Sequence, residues 1–483
     1  MKKFKNLLLS LGLIPLLMSP ALAADEEVAP QVAEVKIEKV DTVKTSDENK
    51  NPQNTLDKKI EEAHEVKSKE GPKKKQGPSY SSWAVKDLND AQFMGLYPAS
   101  SFFEGKDFRK AITLEDANTA YKLAKEKIES RGLKTGGDFT FKDLTRLETL
   151  ESISKLLNDD KFAVKNLKES KIFFGQEDEK YLNSKIPLEE VLALYNRATK
   201  KVLQENDKVA KGFFYEIENK NNKVYMLGSI HIGKSSMYPI DQNIINSLKD
   251  SDKIFMEIDL TNQEKLKEMQ EKMYYKDGGS LKDDLGEELF ARVANIFKDF
   301  GMTEDQVNKL KPWAIYNSLS MDPKGEVANA TYGIESYFLA LSLLNKIELG
   351  ELESVDFQSD LLSNFDKEAY ISMIKNLTDE IDKNGYKNIN AGLNEMLSAW
   401  EVGNKNKMIS LLSSDGDEAS EKFNEALLSE RDKNMAKKID AMLKEDGENT
   451  YFILVGAAHL VPENSVTGIL KNMGYEIVEN KNL

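Results

Sequence analysis

The stretch Tyr451–Leu460, YFILVGAAHL, decides the fold, because five apolar or aromatic residues run directly into a glycine and then a histidine. A second stretch has the same form: Lys223–Leu227, KVYML, runs into GSIH and ends at His231. Short apolar runs of this kind are typical of strands buried in a parallel sheet. The two Gly-x-x-His segments therefore predict an α/β domain in which His231 and His459 both lie where a buried strand ends.

Further short strands extend this predicted sheet. The segment Lys253–Asp259, KIFMEID, places Glu257 at the end of a third strand, and residues 346–353 and Tyr475–Val478 predict two more. Helical patterns occupy most of residues 263–443. Because short strands joined through helices form mainly parallel sheets, the predicted fold class is α/β, with a mainly parallel sheet and a large helical insertion.

Composition excludes several kinds of function. The 483 residues exceed one ordinary domain, and a hydrophobic content of 40% is enough for packed cores. The formal net charge of −15 makes nucleic acid and anionic membranes poor partners. Because the chain contains no cysteine, disulfides, a thiol nucleophile and cysteine-ligated zinc are all excluded.

Residues 1–23 have the form of a secretory signal peptide. Lysines precede an apolar run that ends in ALA at residues 21–23, a small-x-small cleavage pattern. An uncleaved membrane anchor is the alternative. No later stretch has the ~20 continuous apolar residues that a membrane span needs. We therefore expect an exported protein at the cell surface, in the periplasm or associated with the cell wall.

Residues 24–79 alternate acids, lysines and prolines with almost no aromatic residues. Such a composition cannot bury enough apolar surface to order itself, so it predicts a disordered charged linker. His64 lies within this linker among charged neighbours, and we interpret it as a solvated side chain.

Residues 80–205 predict an all-helical region with loosely repeated helix starts. Thr113 is well placed as an N-cap, and a similar sequence, TRLE, occurs at residues 145–148. This sequence resembles the helix start of S-layer homology modules, whose arginine-bearing motif helps bind cell-wall polysaccharide. The resemblance implies wall binding through Arg146, although the third copy has Pro187 in place of threonine. A helical spacer is the alternative.

The two histidines and Glu257 form the candidate centre. Ligands of open α/β sheets bind beyond the carboxyl ends of the strands, so His231 and His459 are expected to face one another with Glu257 between them. A glycine before each histidine, Gly228 and Gly456, would let the backbone turn sharply and would leave room beside a bound group. Two imidazoles and one carboxylate hold a divalent metal with open positions, whereas without a metal a histidine serves as general base. Taken alone, each histidine could instead be a buried core residue whose ring nitrogens are hydrogen-bonded within the protein.

The segments GSIHIGKSSMYPI, KIFMEIDL and ILVGAAHLVPENSVTGILKNMGYEIVE resemble the TraB/GumN family, which includes the Tiki-type metalloproteases and pheromone-shutdown proteins. Intervening blocks such as LKPWAIYNSLSM and SERDKNMAKKI follow the family's order. The likeness covers roughly residues 213–482 of a predicted domain at 206–483. It implies that the two glycines, the two histidines and Glu257 form the centre, and that four more polar residues lie near it: Glu353, Gln358, Arg431 and Asn434.

Chemistry suggests tasks for these residues. Arg431 offers a guanidinium that clamps a carboxylate or stabilises an oxyanion, and Asn434 is expected on the same helical face. Glu335 stands where the family often has aspartate, a change that keeps the charge and lengthens the side chain.

The resemblance implies a metal-dependent hydrolase acting on an extracellular peptide or protein. His231 and His459 would hold the metal, and Glu257 would be a ligand or general base. Glu353, Arg431 and Asn434 complete the predicted catalytic set, the last two polarising the scissile carbonyl. Ligand type does not separate manganese, cobalt and zinc, although the Tiki resemblance favours the first two. Two alternatives stay open: a non-catalytic surface protein that sequesters a peptide, and a metal-free esterase with His231 as base and Glu257 as its partner.

Overall fold

A computed structural model describes residues 77–103, 105–159, 162–276, 278–324, 328–413 and 418–479. The predicted signal peptide, nearly all of the predicted linker and His64 lie outside these residues. Across the described part of the chain, no helix combines the length and the apolar character needed to cross a membrane.

A six-stranded mixed sheet organises the C-terminal part of the chain. Its strands are β1 Phe213–Asn219, β2 Asn222–Ser229, β3 Lys253–Met256, β4 Glu348–Glu351, β5 Thr450–Gly456 and β6 Ile477–Glu479. Their spatial order is β4-β3-β5-β2-β1-β6. The first four strands in this order are mutually parallel, whereas β1 is antiparallel to both β2 and β6. The predicted mainly parallel sheet is confirmed, with an antiparallel strand that the sequence analysis did not identify.

Helices occupy much of the remaining described chain. Those of the N-terminal region are α1 Val85–Met94, α2 Leu114–Ser130, α3 Arg146–Leu156, α4 Val164–Glu169, α5 Glu179–Leu182 and α6 Leu188–Glu205. Those between β2 and β4 are α7 Gln242–Lys249, α8 Gln263–Glu271, α9 Leu281–Leu285, α10 Glu287–Phe297, α11 Glu304–Asn308, α12 Pro312–Leu319 and α13 Ile334–Asn345. Those after β4 are α14 Val355–Ser363, α15 Lys367–Asn384, α16 Lys387–Glu401, α17 Lys405–Leu412, α18 Glu418–Lys444 and α19 Val466–Asn472. The large helical insertion and the helical N-terminal region are therefore confirmed.

The helix starts of the N-terminal region follow from their capping residues. Thr113 accepts a hydrogen bond from the backbone N–H of Asp116, whose side chain accepts one in return from the backbone of Thr113. This capping box satisfies two amide donors that a helix start would otherwise leave unpaired. The predicted N-cap at Thr113 is confirmed, and Thr145 caps α3 through the N–H of Glu148.

Arg146 is bound within the helical region itself. Its guanidinium makes a 2.8 Å ion pair with Glu190, donates to Ser184 Oγ at 2.6 Å, and lies 4.4 Å from the ring centroid of Tyr181. The side chain that the S-layer resemblance offers to a polysaccharide is therefore already engaged by its own region.

Among the described residues, buried apolar side chains form two clusters. One cluster fills the helical insertion and includes Trp313 and Phe297. The other contains residues from both sides of the predicted boundary at residues 205 and 206, among them Phe93 of α1 and Phe452 of β5. The helical region and the sheet therefore share one continuous hydrophobic core.

The register of the parallel strands brings three strand ends together. Ser229 of β2 pairs with Gly456 of β5, and Met256 of β3 pairs with Leu454 of β5. All three strands therefore finish at the same edge of the sheet. The residues that follow them along the chain, which include His231 and His459, begin from neighbouring positions.

Candidate functional site

The three predicted metal ligands converge around Gly456. A methyl group on its Cα would lie 3.3 Å from Glu257 Oε1, 3.7 Å from His231 Nε2 and 3.7 Å from His459 Cδ2. The missing side chain therefore leaves a small space onto which two imidazoles and a carboxylate converge. The structure brings the predicted residues together at the edge of the sheet where the sequence analysis expects them.

The His231 imidazole is fixed by Glu335. Its Nδ1 lies 2.8 Å from Glu335 Oε1, which also accepts a hydrogen bond from the Ser229 hydroxyl. Burial lowers the pKa of His231, but the charge and hydrogen bond of Glu335 together with the charge of Glu257 outweigh it and leave the pKa above its ordinary value. With Nδ1 bound to a carboxylate, Nε2 is the ring nitrogen that faces the space beside Gly456. Glu335 thus has a defined position despite the exchange of aspartate for glutamate.

The His459 imidazole has a matching partner in Asp432, a residue the sequence analysis missed. Its Nδ1 lies 2.5 Å from Asp432 Oδ1, and its Nε2 lies 3.9 Å from Glu257 Oε1. Both side chains are buried. Burial raises the pKa of Asp432 above its ordinary value, and the charge of His459 offsets only part of this rise. Each histidine of the centre therefore carries a carboxylate on Nδ1.

Glu257 is held at both oxygens. Oε1 accepts a hydrogen bond from the backbone N–H of Gly456 at 2.7 Å, and Oε2 accepts from Gln358 at 3.0 Å and Arg431 at 2.6 Å. Burial raises the pKa of Glu257, but the positive charge of Arg431 and the two imidazoles overcome it and lower the pKa to about 2. Glu257 is therefore ionised at neutral pH.

Arg431 binds carboxylates of the protein rather than presenting itself to a substrate. Its Nε and Nη2 donate to Glu353 at 2.7–2.9 Å, and its Nη1 donates to the carbonyl of Leu427 at 2.8 Å. The side chain is only 2% exposed. Its donors are engaged in an ion-pair network with Glu257 and Glu353, and the polarisation of a scissile carbonyl by Arg431 stays a prediction.

Gln358 completes this network, whereas Asn434 stands apart from it. The Gln358 amide donates to both Glu257 and Glu353, and its side chain is buried. Asn434 is exposed, although Arg431 one helical turn earlier is buried. The catalytic role of Asn434 stays a prediction, whereas the neighbouring Asp432 binds His459 at the centre.

The motif glycines act through close packing. Gly456 has φ −52°, and Gly228 also lacks a positive φ, so neither position requires the left-handed backbone conformation that favours glycine. A methyl group on Gly228 would lie 3.0 Å from the Cα of Ala457, so glycine lets the ends of β2 and β5 approach each other. At Gly456 the predicted room beside a bound group is present.

The donor chemistry fits a divalent metal. Four carboxylates lie at the centre with the Arg431 guanidinium and the two imidazoles. They belong to Glu257, Glu335, Glu353 and Asp432. This excess of negative charge favours the binding of a cation. Carboxylates on the Nδ1 atoms are the usual outer partners of metal-bound histidines. Within the described ranges, no three His, Asp or Glu side chains are already arranged around a common ion position. These residues are of the types that bind a divalent metal. In this structure, however, Glu257 Oε1 accepts a hydrogen bond from the Gly456 N–H.

A known protein family matches the part of the chain that contains this centre. The sequence model of the TraB/PrgY/gumN family matches residues 213–479, more than half of the chain. The chain belongs to the TraB/PrgY/gumN family. Its matched part contains both histidine segments, Glu257 and Arg431. The family match begins with β1, so these comparisons give no support to S-layer homology in residues 80–205.

Two curated relatives are named as metalloproteases. Metalloprotease TIKI1 of Danio rerio is 22% identical over 296 residues, which cover 52% of this chain and 60% of the relative. Metalloprotease TIKI2 of Xenopus tropicalis is 21% identical over 297 residues, which cover 52% of this chain and 57% of the relative. The chain therefore spans less than two thirds of the length of these relatives. No solved structure matches it.

Proposed function

We propose that the protein is a metal-dependent hydrolase that cleaves peptide bonds of an extracellular peptide or protein. The observation that carries this proposal is the convergence of His231, His459 and Glu257 around Gly456. The carboxylate on each Nδ1 atom adds support, because it leaves both Nε2 atoms for a shared ligand. The distant similarity to relatives named metalloproteases points to the same chemistry.

The residues divide into ligands and the groups that hold them. His231 and His459 would bind the metal through Nε2, and Glu257 would be the third ligand or a general base. A bound divalent metal supplies a polarising charge and lowers the pKa of a bound water. Arg431 keeps the Glu257 carboxylate ionised, and Arg431 and Gln358 together fix its orientation.

The metal-free alternative has one observation in its favour. The contact between His231 Nδ1 and Glu335 also has the form of a general base oriented by a carboxylate. Such an esterase would use Glu335 where the sequence analysis assigned Glu257. The third candidate, a protein that binds a peptide without cleaving it, would use the same residues as a binding surface.

Removal of divalent metal separates these candidates. We expect the purified protein without residues 1–23 to cleave peptides from a mixed library, to lose cleavage after exhaustive chelation, and to regain it with Mn²⁺, Co²⁺ or Zn²⁺. Cleavage that survives chelation would support the metal-free base. Peptide binding without cleavage under every metal condition would support the sequestering protein.

The partners of the two histidines should control metal affinity. Glu335→Gln and Asp432→Asn remove the charge that holds each Nδ1 proton, so each change should weaken Mn²⁺ binding about 10- to 100-fold. Isothermal titration of the metal-free protein measures this effect. Glu189→Gln is the matched control, because Glu189 is a buried carboxylate that binds Ser81 in the helical region. Equal affinities in all three variants and the parent would contradict the assigned roles.

We also propose that the protein acts outside the cytoplasm, on the basis of the signal-peptide pattern in residues 1–23. N-terminal sequencing of the exported protein should begin at about residue 24. A mature chain that still starts at Met1 would contradict cleavage. Because Arg146 is engaged within its own region, an attachment to the cell wall would need other residues of the helical region.

A further inference from the structure

The N-terminal helical region reaches into the loop that follows His231. The buried ammonium of Lys127 in α2 donates to the carbonyl of Ser235 at 2.5 Å. Arg131, one turn later, binds the carbonyl of Ser236 and forms an ion pair with Glu401 at the end of α16. Lys127 of α2 and Arg131 at its C-terminal end therefore clamp a loop that begins only a few residues after His231.

A second contact of the helical region reaches the segment that carries Glu335. The Tyr337 hydroxyl donates to Asp90 of α1 at 2.9 Å, and Asp90 also pairs with Lys200 of α6 at 2.8 Å. The ring of Phe93 in α1 packs against Tyr337 with a centroid distance of 4.8 Å. Tyr337 lies two residues after Glu335, so this contact fixes the start of α13, from which Glu335 binds His231.

The two clamped segments pack tightly on each other. The backbone N–H of Ile334 donates to the carbonyl of Ile230 at 3.1 Å. A methyl group on Gly333 would lie 2.2 Å from the carbonyl oxygen of His231, so the segments leave no space for a side chain there. A displacement of either segment is therefore passed directly to the backbone of His231.

The burial of Lys127 indicates that this residue serves the contact with Ser235 and does not merely fill space in the core. A buried ammonium is costly unless it is paired, and burial lowers the pKa of Lys127 well below its ordinary value. A hydrophobic side chain would fill a purely structural position at lower cost. The lysine instead holds a backbone carbonyl of the loop that begins after His231.

We propose that helices α1 and α2 belong to the catalytic unit, and that Lys127 and the Asp90–Tyr337 pair are positioning residues for the His231 imidazole. This inference rests on the proposed function only in giving His231 a catalytic task. His459 is held from a different element, since its partner Asp432 lies on α18. The carboxylate partners of the two histidines therefore lie on different elements, Glu335 on α13 and Asp432 on α18.

The presence of only three histidines in the chain allows a direct test. In metal-free protein with isotope-labelled histidine, Lys127→Met should shift the imidazole C–H resonances of His231 and leave those of His459 unchanged. Lys122→Met is the matched control, because Lys122 lies on the same helix with a side chain that is 73% exposed. It should shift neither signal. The Lys127→Met protein should also bind Mn²⁺ about tenfold more weakly.

A milder pair of variants covers the case in which Lys127→Met does not fold. Tyr337→Phe removes only the hydroxyl that binds Asp90, and Tyr370→Phe removes a comparable buried hydroxyl that binds Leu362 in the helical insertion. Tyr337→Phe should shift the His231 signal, whereas Tyr370→Phe should not. An unchanged His231 signal in Tyr337→Phe, or equal shifts at both histidines, would overturn the proposal. Because these spectra require neither metal nor substrate, they give an answer even if the hydrolase proposal fails.

Discussion

Replacing Arg431 with methionine should lower the free energy of unfolding by about 3–5 kcal/mol, because the change leaves two buried carboxylates without their cation. Arg431 forms ion pairs of 2.6 Å with Glu257 and 2.7 Å with Glu353. All three side chains are buried, so water does not replace the lost charge. The loss therefore reflects the cost of uncompensated charge in the core.

Denaturant unfolding of metal-free protein measures this change, and Arg292→Met is the matched control. Arg292 also pairs with two carboxylates, Asp379 at 2.6 Å and Asp382 at 2.7 Å, but these side chains are 52% and 45% exposed. Exposed pairs of this kind contribute at most about 1 kcal/mol, so the control should change stability little. If Arg431→Met costs no more than Arg292→Met, the buried network does not stabilise the fold as described.

Arg431→Lys tests the geometry of the same network. A lysine retains the positive charge but lacks the planar fork that binds Glu353 through two nitrogens while reaching Glu257. We expect stability between that of the parent and that of Arg431→Met. This order would show that the fork of donors, and not charge alone, holds the two carboxylates.

The sequence predicted the centre of the sheet because burial leaves a strong signal there. Strands β2, β3 and β5 are parallel and largely apolar, and they end beside His231, Glu257 and His459. Strand β1 was missed although its alternation of apolar residues and glutamates over residues 215–218 is the pattern of a half-buried strand. Its partner β6 was expected, and the structure places it at the sheet edge as Ile477–Glu479.

The partners of the predicted ligands were harder to find. Asp432 lies in α18 within a stretch of charged residues. Nothing in the sequence pattern shows that Asp432 is buried while the next residue, Lys433, is exposed. The available signal was a chemical one, because a metal-binding histidine usually donates its second nitrogen to a carboxylate. That rule would have favoured an acidic residue beside Arg431 over Asn434.

The contacts of the helical region were invisible in the sequence for a different reason. Lys127 and Ser235 are separated by 108 positions, and the hydrogen bond joins an ordinary helical lysine to a backbone carbonyl. A backbone acceptor carries no residue-type signal, so only the tertiary structure reveals the pair. Tyr337 and Asp90 are 247 positions apart, and their side chains meet across the predicted boundary between regions, so only the tertiary structure reveals this pair as well.

Replacing both His231 and His459 with alanine should reduce the bound metal from near one equivalent to none. The two imidazoles supply two of the three protein donors proposed for the ion. The remaining donor, Glu257, is already bound by Arg431, Gln358 and the Gly456 N–H, so it would not retain a metal alone. Elemental analysis of the purified protein, after incubation with Mn²⁺, Co²⁺ or Zn²⁺, measures this change.

The same double variant should lose peptide cleavage while keeping measurable peptide binding, because removing the metal ligands leaves the rest of the protein surface in place. His64→Ala is the matched control, since it changes the third histidine of the chain and should affect neither property. Equal and negligible metal in the parent and the double variant would favour the peptide-binding protein or the metal-free base. Stoichiometric metal in the parent with no loss in the variant would instead place the ion elsewhere, because the two histidines would then not be its ligands.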